Sequence, residues 1–309
     1  MRIIPRFQLM HRNYPITRRE FVRATGLLGA GVLLKPFAAA AADAAGYQLG
    51  CYTRPWDQFE YRVALDGIAE AGFKYAGLMT AKGKPSLVVH AESTPEEVNA
   101  VAQEVKQRGL QTLSIYGSDF PVARSVGDGV AGLKRLIDYC ALCACPNLML
   151  CGTGDEKLAA AYYQVVAECC DYAAAKKVGL DIKPHGGKNA TGPECRKIIE
   201  QVGHPNFRIW YDPGNIFYYS DGKLDPVDDC LSINGLVVGM SIKDFKPPKE
   251  VLVTPGTGRV NFREVMARLK QGGFRSGPLI VECLERADSP AKITAEAKKA
   301  RRFLEQLIA

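Results

Sequence analysis

The chain has 309 residues, 47% of them hydrophobic and 24% charged, with a formal net charge of +7. This is the composition of an ordinary globular protein, long enough to bury a large core. Residues 1–43 hold seven Lys or Arg and two acidic residues of the totals of 40 and 33, so the remainder has 33 basic and 31 acidic residues. That near balance excludes an electrostatic case for binding nucleic acid.

Residues 1–43 are predicted to be an export signal that takes no part in the fold. The sequence Thr17 to Arg23, TRREFVR, is typical of a twin-arginine motif, and a Gly- and Ala-rich apolar stretch follows it. An alanine run, Ala38 to Ala42, then offers cleavage sites. The apolar stretch is short of the roughly 20 residues of a membrane span. A tethering helix is the alternative. We expect the twin-arginine translocon as a partner and a periplasmic or extracellular location in a bacterium.

Residues 44–309 alternate between strand-like and helical patterns eight times. The predicted strands are Tyr47–Thr53, Lys74–Thr80, Gln111–Gly117, Asn147–Gly152 and four apolar runs that begin at Gly179, Phe207, Leu236 and Gly277. One helix start is marked by Thr94, Pro95 and Glu97, which form a capping box. The fold predicted is a single α/β domain, a (β/α)8 TIM barrel. A doubly wound sheet is the alternative, but the G-x-G-x-x-G turn typical of it does not follow the first strand.

The last four predicted strands end in ionisable or turn residues. Because the carboxyl ends of barrel strands meet at one mouth, the residues there are expected to lie close together. They include Lys183, His185, Asp212, Asn215, Ser241, Lys243, Asp244 and Glu282. Glu282 follows a wholly apolar run, so its carboxylate is expected to be buried and to need a cation or hydrogen-bond donors. Trp56 and Tyr116, after the first and third strands, are placed either to stack on a sugar ring or to cap the barrel.

The spacing and order of these segments resemble the xylose-isomerase-like TIM-barrel family of sugar isomerases and epimerases over residues 45–309. The resemblance implies four metal ligands at strand ends: a Glu, an Asp in D-P-G-N, a His in H-x-K-D and a Glu. It also implies that the metal polarises the sugar while the two Glu residues move a proton. Asp212 and Glu282 match the family ligands, and Asn215, Lys243 and Asp244 match the surrounding motifs.

Two family ligand positions are replaced, because Lys183 stands in place of the first Glu and Ser241 in place of the His. Neither is a suitable ligand for a divalent metal. In one interpretation Lys183 replaces the metal, and acts as an electrophile or, if burial depresses its pKa, as a base or Schiff-base amine. In the other, His185 joins Asp212 and Glu282 around one divalent metal, Mn, Mg or Zn. A metal-bound and a metal-free site remain equally open.

The sequence predicts an exported isomerase- or epimerase-like enzyme that abstracts a proton next to a carbonyl of a sugar or keto-sugar. Glu282 is the expected base, Lys183 and His185 the electrophile or second acid, and Asp212 the orienting charge. Asn215, Lys243, Asp244, Trp56 and Tyr116 are the expected substrate contacts. A lyase that performs β-elimination on an oxidised glycoside is one alternative, and a barrel that binds carbohydrate without turnover is another. Either a monomer or an oligomer is compatible with the sequence.

Overall fold

The computed structural model describes residues 46–117 and 119–309. The predicted export signal lies outside these residues, so it stays a prediction. Within them, eight parallel strands close into a barrel in sequence order, with β1 hydrogen-bonded to both β2 and β8. The strands are β1 Tyr47–Tyr52, β2 Tyr75–Leu78, β3 Gln111–Tyr116, β4 Asn147–Leu150, β5 Gly179–Ile182, β6 Phe207–Tyr211, β7 Val237–Ile242 and β8 Gly277–Val281. The predicted (β/α)8 barrel is confirmed.

Helices follow the strands around the outside of the barrel. They are α1 Tyr61–Glu70, α2 Pro95–Gln107, α3 Val126–Leu142, α4 Ala159–Ala175, α5 Gly192–Val202, α6 Pro213–Tyr219, α7 Pro226–Asp229, α8 Phe262–Gln271 and α9 Pro290–Ile308. The predicted capping box starts α2, where Thr94 accepts a hydrogen bond from the Glu97 backbone and Glu97 accepts one from the Thr94 backbone. In the part of the chain described, no helix is long and apolar enough to cross a membrane.

Large side chains fill the interior of the barrel, and glycines on neighbouring strands make room for two of them. A Cβ on Gly77 would lie 2.1 Å from the Tyr52 ring, and one on Gly239 would lie 2.4 Å from the Trp210 ring. Only glycine therefore allows these rings to pack against the adjacent strand. The barrel below the mouth is a packed core, and it leaves the loops and strand ends to build a site.

One carboxyl group lies in the barrel wall without an ion pair. Asp181 is 1% exposed, and its Oδ2 has no hydrogen-bond partner among the described residues. Burial raises the pKa of this carboxyl to about 8, so it is mostly protonated at neutral pH. Asp181 therefore adds little charge beneath the ionised residues at the mouth.

All ten cysteines are buried, and each is a free thiol. None is more than 7% exposed. They lie in helices, strands and their ends, which agrees with the interpretation of these residues as small hydrophobic side chains.

Candidate active site

Four buried charged side chains meet at the C-terminal ends of four neighbouring strands. Lys183, Asp212, Lys243 and Glu282 each come directly after β5, β6, β7 and β8, and none is more than 2% exposed. Their positions follow from the parallel barrel, in which every strand ends at the same mouth. The sequence predicted this meeting, and the structure brings all four together.

Each lysine of this group bridges both carboxylates. Lys183 Nζ lies 2.9 Å from Asp212 Oδ2 and also contacts Glu282 Oε2. Lys243 Nζ lies 3.1 Å from Asp212 Oδ2 and 2.6 Å from Glu282 Oε1. The two ammonium groups therefore stand between the two carboxylates, and each carboxylate contacts two cations.

A third cation, Arg54, was not predicted from the sequence. It lies in a short 3-10 turn directly after Thr53, and its Nη1 donates a hydrogen bond of 2.9 Å to Glu282 Oε1. Its side chain is 31% exposed, in contrast to the other members. The available signal was a basic residue one position beyond a predicted strand end. We call Arg54, Lys183, Asp212, Lys243 and Glu282 the mouth cluster.

These contacts set the ionisation of the mouth cluster. Burial by itself raises the pKa of Glu282, but Lys183, Lys243 and Arg54 outweigh it and hold that pKa well below its usual value. Burial by itself lowers the pKa of Lys183, but Asp212 and Glu282 outweigh it and raise that pKa well above normal. Lys183 is therefore a stable ammonium ion, and the condition for its acting as a base or Schiff-base amine is not met. Its role as a fixed cation agrees with the geometry.

Ser241 serves the cluster by hydrogen bonding. Its Oγ donates a bond of 2.6 Å to Glu282 Oε2 and accepts one of 3.1 Å from Trp210 Nε1. A histidine in the family pattern would present a metal ligand here. This chain presents a hydroxyl that adds to the stabilisation of the Glu282 carboxylate.

The donor set does not fit the divalent metal that the family implies. The oxygens of Asp212 and Glu282 that would face a metal are already within ion-pair distance of ammonium groups. Within the described residues, no three His, Cys, Asp or Glu side chains are grouped so as to hold a metal. The predicted ligand set of Asp212, Glu282 and His185 is therefore not assembled, because two lysines stand where a cation would bind.

His185 lies beside the cluster rather than in it. Its ring packs near Tyr219, with 5.4 Å between the ring centroids. Burial, together with the nearby Lys183 and Lys243, lowers the pKa of His185 to about 4, so the imidazole is neutral at physiological pH. It remains available as a hydrogen-bonding group or proton acceptor at the mouth.

Asn215 orients the cluster from the start of α6. Its backbone N–H donates to Asp212 Oδ1 at 2.9 Å, so Asp212 is the N-cap of the helix. The Asn215 side chain accepts a hydrogen bond of 3.0 Å from Lys243 Nζ and donates one of 2.7 Å to the Pro184 carbonyl. The predicted substrate contacts Asn215 and Lys243 are thus bound within the cluster.

Asp244 is directed away from a ligand. Its carboxylate accepts hydrogen bonds of 2.8 to 3.0 Å from four backbone N–H groups, those of Phe245, Gly256, Gly258 and Val260. A Cβ on Gly258 would lie 2.3 Å from Asp244 Oδ1, which explains the glycine. Asp244 therefore holds the loop after β7, and we assign it a positioning role instead of the predicted substrate contact.

The two predicted aromatic contacts have different positions. Trp56 is 0% exposed, and its ring lies so close to α1 that a Cβ on Gly67 would be 2.6 Å from it. The stacking role for Trp56 is wrong, because tight packing leaves it no face for a sugar. Tyr116 is partly exposed and lines a cleft at the mouth.

This cleft lies over the ends of β3, β4 and β5 and has a volume of about 630 Å³. Its wall includes Tyr116, Phe120, Tyr162, His185 and Tyr219. Aromatic walls with a few polar groups are typical of small-molecule sites, and the volume suits a sugar. Two clefts of about 630 and 670 Å³ are lined by residues of the outer helices and their loops, away from the strand ends.

The parallel barrel, the mouth cluster and the aromatic cleft define a class of protein whose chemistry lies at the strand ends of a (β/α)8 fold. The model of the family "Xylose isomerase-like TIM barrel" matches residues 65–307, and the chain belongs to this family. The resemblance inferred from the sequence is confirmed.

Similar proteins are sugar epimerases. The chain is 27% identical over 115 residues to the probable L-ribulose-5-phosphate 3-epimerase UlaE of Mycoplasma pneumoniae, a match that spans 36% of each chain. Among solved structures, D-psicose 3-epimerase with D-fructose has a TM-score of 0.67 at 15% identity, covering 84% of this chain and 99% of that one. D-allulose 3-epimerase from Methylomonas sp. with D-allulose has a TM-score of 0.66 at 18% identity, covering 84% and 97%. These structural likenesses establish the fold.

Proposed function

We propose that this protein is an isomerase- or epimerase-like enzyme that moves a proton next to the carbonyl of a sugar or keto-sugar. The observation that carries the proposal is the mouth cluster, in which two buried ammonium groups each bridge Asp212 and Glu282. Buried charges at strand ends of such a barrel are where its catalytic residues lie. The sugar epimerases among the similar proteins give the same class of reaction.

In this mechanism the cations stabilise charge that develops on the substrate. A proton leaving the carbon next to a carbonyl produces an enediolate, whose negative oxygen needs donors held in place beforehand. Lys183 and Lys243 are such donors, fixed between two carboxylates and sheltered from water. Asp212 keeps both lysines oriented. No step requires a metal ion from these residues.

Glu282 is proposed as the base and His185 as the second acid or base. With three cations around it, Glu282 is a weak base in the resting site, because its pKa is held well below normal. When the substrate oxygen accepts hydrogen bonds from the lysines, their attraction for Glu282 falls and its basicity rises. Proton abstraction is therefore coupled to substrate binding.

A barrel that binds carbohydrate without turnover is the second candidate. The low pKa of Glu282 favours it, since a carboxylate that holds no proton affinity cannot abstract one. The same contacts that would stabilise an enediolate would also hold a sugar hydroxyl. A measurement of proton exchange separates the two functions directly.

The test is the incorporation of solvent deuterium next to the carbonyl of D-fructose and related ketoses in D2O, followed by NMR. We expect exchange with wild-type protein and a loss of about 100-fold or more in Lys183→Met, with sugar affinity reduced far less. Lys188→Met is the matched control, because Lys188 is exposed and pairs with Glu156 at 3.1 Å. Binding without exchange in the wild type would instead establish the carbohydrate-binding barrel.

The same proton abstraction would begin β-elimination from an oxidised glycoside. A keto-glycoside substrate distinguishes this reaction, because elimination releases the aglycone and exchange alone does not. Release by the wild type and its loss in Lys183→Met would make the protein a lyase that uses the same cluster.

We further propose that the protein is exported through the twin-arginine translocon to the periplasm or beyond. The support is the TRREFVR motif, followed by the apolar stretch and the alanine run before β1. Lys replacement of Arg18 and Arg19 together is expected to leave unprocessed protein in the cytoplasm in a fractionation experiment with a bacterial host. Unchanged processing of that double variant would exclude this route.

A further inference from the structure

The mouth cluster holds more positive than negative charge. Arg54, Lys183 and Lys243 contribute three positive charges, and Asp212 and Glu282 contribute two negative ones. The neighbouring His185 is neutral. A buried cluster with an uncompensated charge is costly, and a ligand of opposite charge removes that cost.

The other carboxylates near the cluster do not cancel the excess by direct contact. Asp57 lies 3.7 Å from Arg286, and those two charges balance. Asp244 is surrounded by four backbone N–H groups and makes no ion pair with a described residue. Asp181 is mostly protonated. The three cations therefore share only two carboxylates within ion-pair distance.

Arg54 is the member of the cluster that a ligand reaches first. Its side chain is 31% exposed, whereas Lys183 and Lys243 are almost fully buried. Within the described residues its guanidinium makes one hydrogen bond, from Nη1 to Glu282. The remaining N–H donors form a planar fork, which matches a carboxylate or phosphate with two parallel hydrogen bonds.

Resting on the proposed function, we propose that the substrate is an acidic sugar whose carboxylate binds Arg54. The excess at the cluster is one charge, and a carboxylate carries one. A phosphate monoester carries about 1.5 to 2 negative charges at neutral pH and would over-compensate it. The sugar ring would extend from this contact into the adjacent cleft, with the carbonyl near Lys183 and Lys243.

The test compares three ligands that differ only at C6: D-fructose, D-fructuronate and D-fructose 6-phosphate. Affinities are measured by titration calorimetry on the mature protein at one ionic strength. We expect D-fructuronate to bind about 10- to 100-fold more tightly than D-fructose, as a charged hydrogen-bonded pair provides. It should also bind more tightly than the 6-phosphate.

Arg54→Met should reduce the difference between D-fructuronate and D-fructose to less than about threefold, and Arg54→Lys should keep part of it. Arg54→Met leaves two ammonium groups and two carboxylates, so the variant is expected to fold, as circular dichroism would show. Arg286→Met is the matched control, because Arg286 pairs with Asp57 outside the cluster. It should preserve the full preference.

Three results overturn the proposal while leaving the proposed function intact. They are equal binding of D-fructose and D-fructuronate, a preference that persists in Arg54→Met, and tighter binding of the 6-phosphate. Absence of binding by all three ligands, together with absence of deuterium exchange into any ketose, overturns both proposals.

Discussion

Replacing Glu282 with glutamine is expected to lower the free energy of unfolding by about 3–5 kcal/mol, the range for breaking a buried ion pair. The carboxylate contacts Lys183, Lys243 and Arg54, so its loss leaves three cations with the single carboxylate of Asp212. The amide keeps the shape of the side chain and removes only the charge. Urea denaturation at pH 7 measures the change.

The effect of Glu282→Gln should depend on pH in one direction. The pKa of Glu282 is lowered in the folded protein, so its contribution is fully present above its unfolded value of about 4.5. It is lost as the pH falls through the lower folded value. The difference between wild type and variant should therefore be constant from pH 5 to 8 and shrink in more acidic solution.

Glu285→Gln is the matched control for this measurement. Glu285 is exposed and makes no ion pair with any residue that the structure describes. Its replacement should change the free energy of unfolding by less than about 0.5 kcal/mol. A loss below about 1 kcal/mol in Glu282→Gln would contradict the importance that we assign to the cluster.

The combined variant Lys183→Glu and Ser241→His is expected to bind one divalent metal ion per chain. It removes one of the two bridging ammonium groups and supplies a carboxylate and an imidazole beside Asp212 and Glu282. Those are the four ligand types that the family pattern contains, and they suit Mn, Mg or Zn. Wild-type protein, with Lys183 between the carboxylates, is expected to hold no stoichiometric metal at this site.

Metal content by mass spectrometry, before and after dialysis against a chelator, checks this expectation. The single variants serve as controls, because each restores only one ligand and should retain less metal than the pair. A stoichiometric metal in the wild type that His185→Ala removes would contradict our interpretation. It would show that the site is rebuilt around His185 instead of Lys183.

The barrel was predictable because its signals are local and repeated. Eight apolar runs, each followed by a helical pattern, require parallel strands buried on both faces. The meeting of Lys183, Asp212 and Glu282 then follows from topology alone, since all barrel strands end at one mouth. Neither inference needed the position of a single side chain.

The pairing within the site was not predictable, because it depends on rotamers and on distances across the barrel. Arg54 is separated by 228 positions from Glu282 and was missed. The sequence placed His185 on the same strand face as Lys183, but the structure packs its ring near Tyr219. Trp56 was misjudged because an aromatic residue after a strand is equally suited to stacking on a ligand or on α1, and Gly67 decided for α1.

The burial of all ten cysteines leaves the folded protein without a reactive thiol on its surface. Thiolates are the form that reacts with oxidants and alkylating reagents, and burial raises the pKa of Cys51, Cys140 and Cys195, among others. A chain that crosses into an oxidising compartment already folded would keep these groups from forming mixed or mispaired disulfides. The same feature makes the rate of labelling by a thiol reagent a clock for the opening of the barrel.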